Sequence, residues 1–234
     1  IPEWGFVAEP QPEPVGSAPP SRGTVGSSFV EYPGDSISQV ELVGGTTTTT
    51  ATSGVRAQMV VLSEGMGAGY RICSNCGWAK PHSGDRSAAH SNPLTGADCR
   101  GSFELVALGH RYQTDTAEIV PRGLVDANPN AMLSLMYALL EGASEGLEIS
   151  RDDIDATLSW SKRTRSIVLY DTVPAGAGAA RKITENITTV LDEAHRRVDN
   201  CDCGLETSCF GCLRNAFNDR HHEVLRREDA LRLL

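Results

Sequence analysis

The chain has 234 residues, 40% of them hydrophobic and 6% aromatic, with a net charge of −9. That length holds one large domain or two small ones, and so few aromatics argue for a core that does not run the whole length. The acidic balance excludes a chain that coats nucleic acid by charge alone, and no apolar run is long enough to span a bilayer.

Residues 1 to about 35 are rich in Pro, Gly, Ser and Glu (EPQPEPVGSAPPSRG), a composition that cannot bury enough surface to fold alone. They read as an irregular arm or linker. VELVGG carries one short strand, and the TTTTT run after it reads as a low-complexity loop. RAQMVVLSE alternates and is β-branched, so it reads as a strand, and YRICSNCGWA as a second strand entering a turn. A long strand is expected from Phe103 to Val120, with a bend at Gly109. Asn128 and Pro129 are suited to cap and start a helix. In that helix Met132, Leu135, Met136, Leu139 and Leu140 recur at three-four spacing and predict a buried face. IDATLSW and RSIVLYDTV flank a polar SKRT and read as a β-hairpin. PAGAG then leads into one long amphipathic helix over 178–198, and LRNAF and EVLRREDALRLL read as short closing helices.

The seven cysteines fall in knuckles. A chain with no export signal and such grouping points to metal sites in a reducing, cytoplasmic setting, not to a disulfide framework. The chain opens on Ile1, not Met, so we expect a piece of a longer polypeptide. Cys201, Cys203, Cys209 and Cys212 follow the pattern C-x-C-x5-C-x2-C. Each short spacing places two sulfurs on one tight loop, and four thiolates suit tetrahedral zinc, with an iron–sulfur cluster as the competitor. Four sulfurs leave no open coordination position, so the metal is structural on this reading. Cys73, Cys76 and Cys99 form a second knuckle, closed by His90 or, less favourably, His82. Two zinc ions are therefore expected.

VPAGAGAARKI places a glycine-bearing turn at a helix start, with Arg181 and Lys182 beside it. Backbone amides there could meet a phosphate, or the turn could need small residues only for close backbone approach. It is not a nucleotide-binding P-loop. Arg214, Arg220 and His222 belong to a basic C-terminal stretch with interleaved acids, which is either a solvated face or a set of phosphate contacts. Asp152, Asp153 and Asp155 make an acidic trio, but no nucleophile–base constellation accompanies it.

LGHRYQTDTAEI, YALLEGASEGLEI, IVLYDTVPAGAGAARKI and CDCGLETSCFGCLRNAFNDRHHEVLRREDAL run in a fixed order. Over residues 103–234 that order resembles the C-terminal zinc-binding domain of mitomycin-repair-type superfamily-two helicases and of the DISARM anti-phage helicase-associated B component. The resemblance implies that Cys201, Cys203, Cys209 and Cys212 are zinc ligands. It matches Asn218 and His222 to an Asn and a His after the cluster, and Pro174, Gly176 and Gly178 to the turn. The chain departs from that pattern at Ala175, where glycine is usual, and at Ala216, where an aromatic is usual.

The expected architecture is α+β: a mixed sheet with a few packed helices, stapled by zinc, with an irregular N-terminal arm. Its expected divisions are an arm or linker over 1–56, a CxxCG zinc-knuckle module over 57–102, and the helicase-associated domain over 103–234. No Walker motif or DExH box is present. The expected role is therefore a non-catalytic accessory module of a cytoplasmic helicase system, in antiviral defence or DNA repair. A helicase motor and DNA would be its partners, with no membrane involved. Arg181, Lys182, Arg214, Arg220 and His222 are the candidate DNA contacts. A purely structural interaction module is the alternative, and a metal-dependent nuclease the third reading.

Overall fold

The computed structural model describes residues 28–44, 47–63, 69–82, 89–121, 128–160 and 165–234. The expected arm therefore lies outside the described residues as far as 27. The chain forms β1 (Ser28–Tyr32), β2 (Asp35–Gly44), β3 (Thr47–Ser63), β4 (Tyr70–Cys73), β5 (Ala79–Pro81), β6 (His90–Ser91), β7 (Asp98–Cys99), β8 (Phe103–Val106) and β9 (Leu108–Pro121). Helix α1 (Pro129–Leu147), β10 (Ile154–Trp160), β11 (Arg165–Asp171), α2 (Ala179–Glu185), α3 (Ile187–Asp199) and α4 (Arg227–Leu233) follow. The architecture is α+β.

Two compact units are present. One is drawn from residues 60–111, the other from 29–59 and 112–234. In the first, β4 pairs with β5 and β8, and β6 pairs with β7. In the larger, strands run in the order β1-β3-β9-β11-β10, with β2 also on β3. The β10–β11 hairpin is antiparallel, Ile154 opposite Asp171 and Trp160 opposite Arg165, as the sequence predicts. Strand β9 pairs antiparallel with β11 from Ile119–Ile167 to Thr116–Tyr170.

Helix α1 is the centre of the core. Asn128 Oδ1 accepts the Asn130 N–H at 3.0 Å and Pro129 occupies the first turn, so the start follows the sequence expectation. Met132, Leu135, Met136, Leu139 and Leu140 are all buried, as their spacing predicts. Helix α3 buries Ile187, Val190, Ala194 and Val198, one stripe at helical spacing, and packs against α1. The two backbones come close at Gly142, where an added Cβ would meet the Val190 carbonyl oxygen at 2.5 Å.

Four local expectations fail, three of them for an identifiable physical reason. From Thr47 the threonine run is not a loop: it opens β3, paired from Gly44–Thr47 to Asp35–Val55 with a register shift at Ser36/Ser38. Threonine is β-branched and fits an extended, paired backbone whatever its low complexity suggests. The strand from Phe103 breaks at Ala107, not Gly109, because the chain there leaves the β4 partner of β8 and joins the larger sheet as β9. The helix expected over 178–198 is two helices. Asn186 (φ −120°, ψ 31°) turns its side-chain amide onto the Lys182 carbonyl at 2.9 Å, a local bond that competes with helix continuation. LRNAF forms turns, and the closing helix begins at Arg227, four residues later than EVLRREDALRLL suggests.

Candidate metal centres

All seven cysteines are free thiols, and they gather into two groups. In the larger unit α3 ends at Asp199 and delivers Cys201 and Cys203; a loop then brings back Cys209 and Cys212. The Cys209 carbonyl accepts the N–H groups of Cys212, Leu213 and Arg214 at 3.0–3.2 Å, which winds CFGC into a tight knuckle. Four sulfur separations are 3.6 Å (Cys201–Cys203), 3.5 Å (Cys201–Cys209), 3.7 Å (Cys203–Cys212) and 4.0 Å (Cys209–Cys212). A tetrahedron with metal–sulfur bonds of about 2.3 Å has edges of about 3.8 Å. The four sulfurs therefore fit one zinc ion. A multi-iron cluster interposes its own sulfides and would hold them farther apart.

The second group is built by β4, β6 and β7. Cys73 ends β4 and Cys76 lies in the turn after it, where Gly77 (φ 73°) donates its N–H to the Cys73 carbonyl at 3.0 Å. His90 on β6 stands directly opposite Cys99 on β7. Cys73 and Cys99 sulfurs are 3.8 Å apart, and His90 Nε2 lies 3.1 Å from Cys76 Sγ. The ligand atoms of Cys73, Cys76, His90 and Cys99 all lie within 4.8 Å of one another, so His90 closes the group and His82 does not. The His90 ring sits against Trp78 and Phe103, each at 5.0 Å between centroids. Gly101 keeps room for the centre, because a Cβ there would lie 2.5 Å from Cys73 Sγ.

The thiols titrate as crowded groups do. Burial opposes ionisation of Cys73, yet N–H groups of Asn75 and Cys76 and the neighbouring thiols hold it down at about 6. Cys209 is likewise drawn to about 7 against burial, by the Cys201 thiol and the Gly211 N–H. Burial and the adjoining Cys201 and Cys212 thiols push Cys203 up to about 12. Burial first, and charge on a neighbouring thiolate second, hold back the protons of Cys76, Cys203 and Cys212. A dication removes that obstacle, so metal uptake and thiol deprotonation go together. Neither group contains a carboxylate, and among the described residues no other metal-ligand group forms. Asp155 of the acidic trio instead accepts the Tyr170 hydroxyl at 3.2 Å.

The glycine-bearing turn already holds an anion of its own. Asp171 ends β11 fully buried, and its carboxylate accepts the N–H groups of Ala177, Ala179 (3.2 Å) and Ala180 (2.8 Å). Those are the amides a phosphate would need, so the phosphate reading of this turn is corrected: Asp171 takes that place. Gly176 and Gly178 have positive φ (78° and 84°), which accounts for glycine at both, and Ala175 (71°) holds the same left-handed backbone at a cost.

Each candidate cationic residue has a local partner. Arg181 pairs with Glu185 at 2.7 Å, and Lys182 Nζ donates to the Leu147 carbonyl at 2.6 Å. Arg214 donates to Ser208 Oγ at 3.0 Å. Arg220 lies beside His221, and His222 Nε2 is 2.9 Å from Asn218 Oδ1. Asn218, fully buried, also donates to the Leu213 carbonyl at 2.8 Å, so Asn218 and His222 brace the knuckle together. Sequence reasoning missed two further groups. Glu141, on α1, receives Arg151 at 3.2 Å and Asn215 at 3.0 Å, tying the knuckle to the core helix. Arg227 clamps the loop itself. A carboxylate ending a strand eight residues before a helix could have flagged Asp171; no local pattern flags Glu141 or Arg227.

Two four-ligand groups that could each hold a metal ion, carried on an α+β scaffold, fit a zinc-binding domain. Residues 135–213 match the family model described as MZB, the MrfA Zn-binding domain, a span reaching from α1 through the four cysteines. The Druantia protein DruE of Escherichia coli (strain UMEA 4076-1) is 28% identical over 188 residues, covering 68% of this chain and 10% of that protein. The chain thus spans about a tenth of the length of that curated relative. The crystal structure of DUF1998 helicase MrfA bound to DNA aligns over 88% of this chain and 24% of that one, at 14% identity and a TM-score of 0.47. A further crystal structure of MrfA aligns over 86% and 24%, at 13% identity and 0.41. The resemblance to an MrfA-type, helicase-associated zinc-binding domain is upheld by the family match. Among the described residues no helix is long and apolar enough to cross a membrane.

Proposed function

We propose that this chain is a non-catalytic, zinc-stapled accessory module of a DNA-translocating helicase system. It binds two zinc ions, braces a motor carried in the same or another chain, and contacts DNA through Arg181, Arg214 and Arg220, with Lys182 and His222 holding the local backbone. Cytoplasmic phage defence is the favoured setting, since the curated relative is a Druantia protein; a DISARM-type system or DNA repair is the other. The observation that carries this reading is the four-sulfur cage. Its edges close on one ion and leave no position for a substrate, so the metal holds the knuckle and α3 while other surfaces meet partners.

The test has two arms. Metal analysis of the purified chain should return two zinc equivalents, and Cys209→Ser should release one and unfold the C-terminal region; a zinc-free chain, or a variant as stable as the parent, sinks the reading. In the second arm, Arg214→Ala and Arg220→Ala should weaken single-stranded DNA binding and lower the salt slope by about 0.7 for each lost phosphate contact. Absent DNA binding with capture of a helicase chain would favour a purely structural interaction module. The net charge of −9 and the existing engagement of Arg181 and Lys182 favour that second reading.

A further inference from the structure

Arg227 is buried, with 5% of its surface exposed, and among the described residues it has no carboxylate partner. Its guanidinium instead donates to three main-chain carbonyls. Nε reaches Val198 at 2.8 Å and one terminal nitrogen reaches Asp199 at 3.0 Å, both in the last turn of α3; the other terminal nitrogen reaches Cys203. The chain on either side is pinned to the same loop. Arg227 N–H donates to the Thr207 carbonyl and Glu228 N–H to the Leu205 carbonyl, each at 3.0 Å. Both acceptors lie between the ligands Cys203 and Cys209. The residue before it, Arg226, donates its N–H to Ser134 Oγ on α1 at 3.1 Å.

Four thiolates around a dication leave a net charge of −2, and a partly buried centre of that charge is costly without a counter-charge. Two guanidinium groups hold carbonyls of the ligands: Arg197 reaches Cys212 at 2.9 Å but is already paired with Glu141 and Glu145, whereas the buried Arg227 reaches Cys203 with no carboxylate partner among the described residues. Arg227 also sits at the negative end of α3, where a cation is favoured. Its planar fork matches three carbonyls that an ammonium could not reach together.

We infer that Arg227 is a positioning residue of the C-terminal metal centre: it supplies the counter-charge to the four thiolates, fixes the Cys203 loop, and thereby links metal occupancy to docking of α4. The inference rests on zinc binding by Cys201, Cys203, Cys209 and Cys212. By linkage, whatever loosens α4 weakens the metal, and whatever removes the metal loosens α4.

The experiment is a zinc competition titration of the full chain against a chromophoric chelator, with the parent measured first so that failure of zinc binding itself is seen separately. Loss of a residue that orients a metal ligand lowers metal affinity by roughly 10–100-fold. Arg227→Gln should show that loss at one of the two sites and leave the Cys73–Cys76–His90–Cys99 site unchanged. Arg227→Lys, which keeps the charge and loses the fork, should fall between Gln and the parent. Arg226→Gln, whose exposed side chain lies 3.7 Å from Glu228, should bind zinc as the parent does. Should Arg227→Gln not fold, Arg227→Lys decides: a clear loss at one site supports the assignment, and parental affinity overturns it. Equal affinities for Gln and Lys overturn the counter-charge role, and an equal loss at both sites shows a general folding defect and overturns the assignment.

Discussion

Replacing Asp171 by Asn removes one oxygen and the charge from the buried carboxylate that organises the glycine-bearing turn. In the parent one oxygen serves Ala177 and Ala179 and the other serves Ala180. An asparagine in its best orientation keeps two of these amides and turns an NH2 toward the third. A hydrogen bond to a charged group contributes about 1.5–3 kcal/mol, and a buried donor left facing another donor adds to the loss, so the change should cost about 2–4 kcal/mol. For a chain of this size that lowers Tm by roughly 5–15 °C. Thermal unfolding of the zinc-loaded chain, followed by far-UV circular dichroism, reads it. Low-millimolar phosphate, compared with chloride at equal ionic strength, should leave the parent unmoved, because the amides are taken. A Tm within about 1 °C of the parent, or phosphate protection of the parent that Asp171→Asn abolishes, would refute the argument and restore the turn as an anion site.

Ala175 holds a left-handed backbone that costs an L-residue roughly 1–2 kcal/mol, so Ala175→Gly should stabilise by about 0.5–1 kcal/mol after the extra flexibility of the unfolded glycine is subtracted; urea unfolding checks it, and a destabilised variant refutes it. Burial and the nearby Asp171 charge raise the Asp115 carboxyl above its ordinary 3.8. A carboxyl raised on folding holds its proton more tightly when folded, so its ionisation weakens the fold above the folded value, and that penalty fades as pH falls through the folded value and is gone below 3.8. Asp115→Asn should therefore raise Tm near pH 7 and lose its advantage in acid; an advantage constant from pH 7 to pH 3 points to some other cause.

Much of the metal chemistry was legible because it is local. C-x-C and C-x-x-C each commit two sulfurs to one loop, whatever surrounds them, and zinc needs little more than four such donors at the right distance. The start of α1 was legible for the same reason: Asn128 and Pro129 act within one turn. The break at Asn186 was not, although its cause is also local, because an asparagine side chain can either face solvent or take a nearby carbonyl. The threonine run misled because composition was read where backbone stiffness and a pairing partner, β2, decided the outcome.

The amino-acid sequence by itself determined the four-cysteine set, the three cysteines of the other centre, the start of α1, the β10–β11 hairpin, and the resemblance to helicase-associated zinc domains, since each lies in short-range spacing and order. Only the tertiary structure decided that His90 and not His82 closes the first centre, through its place opposite Cys99. It alone put Asp171 where a phosphate would have gone and brought Arg227 back onto a loop more than twenty residues earlier. These are contacts between groups distant along the chain. Their partners are chosen by packing and by the need to satisfy buried amides, carbonyls and charge, which no local pattern records.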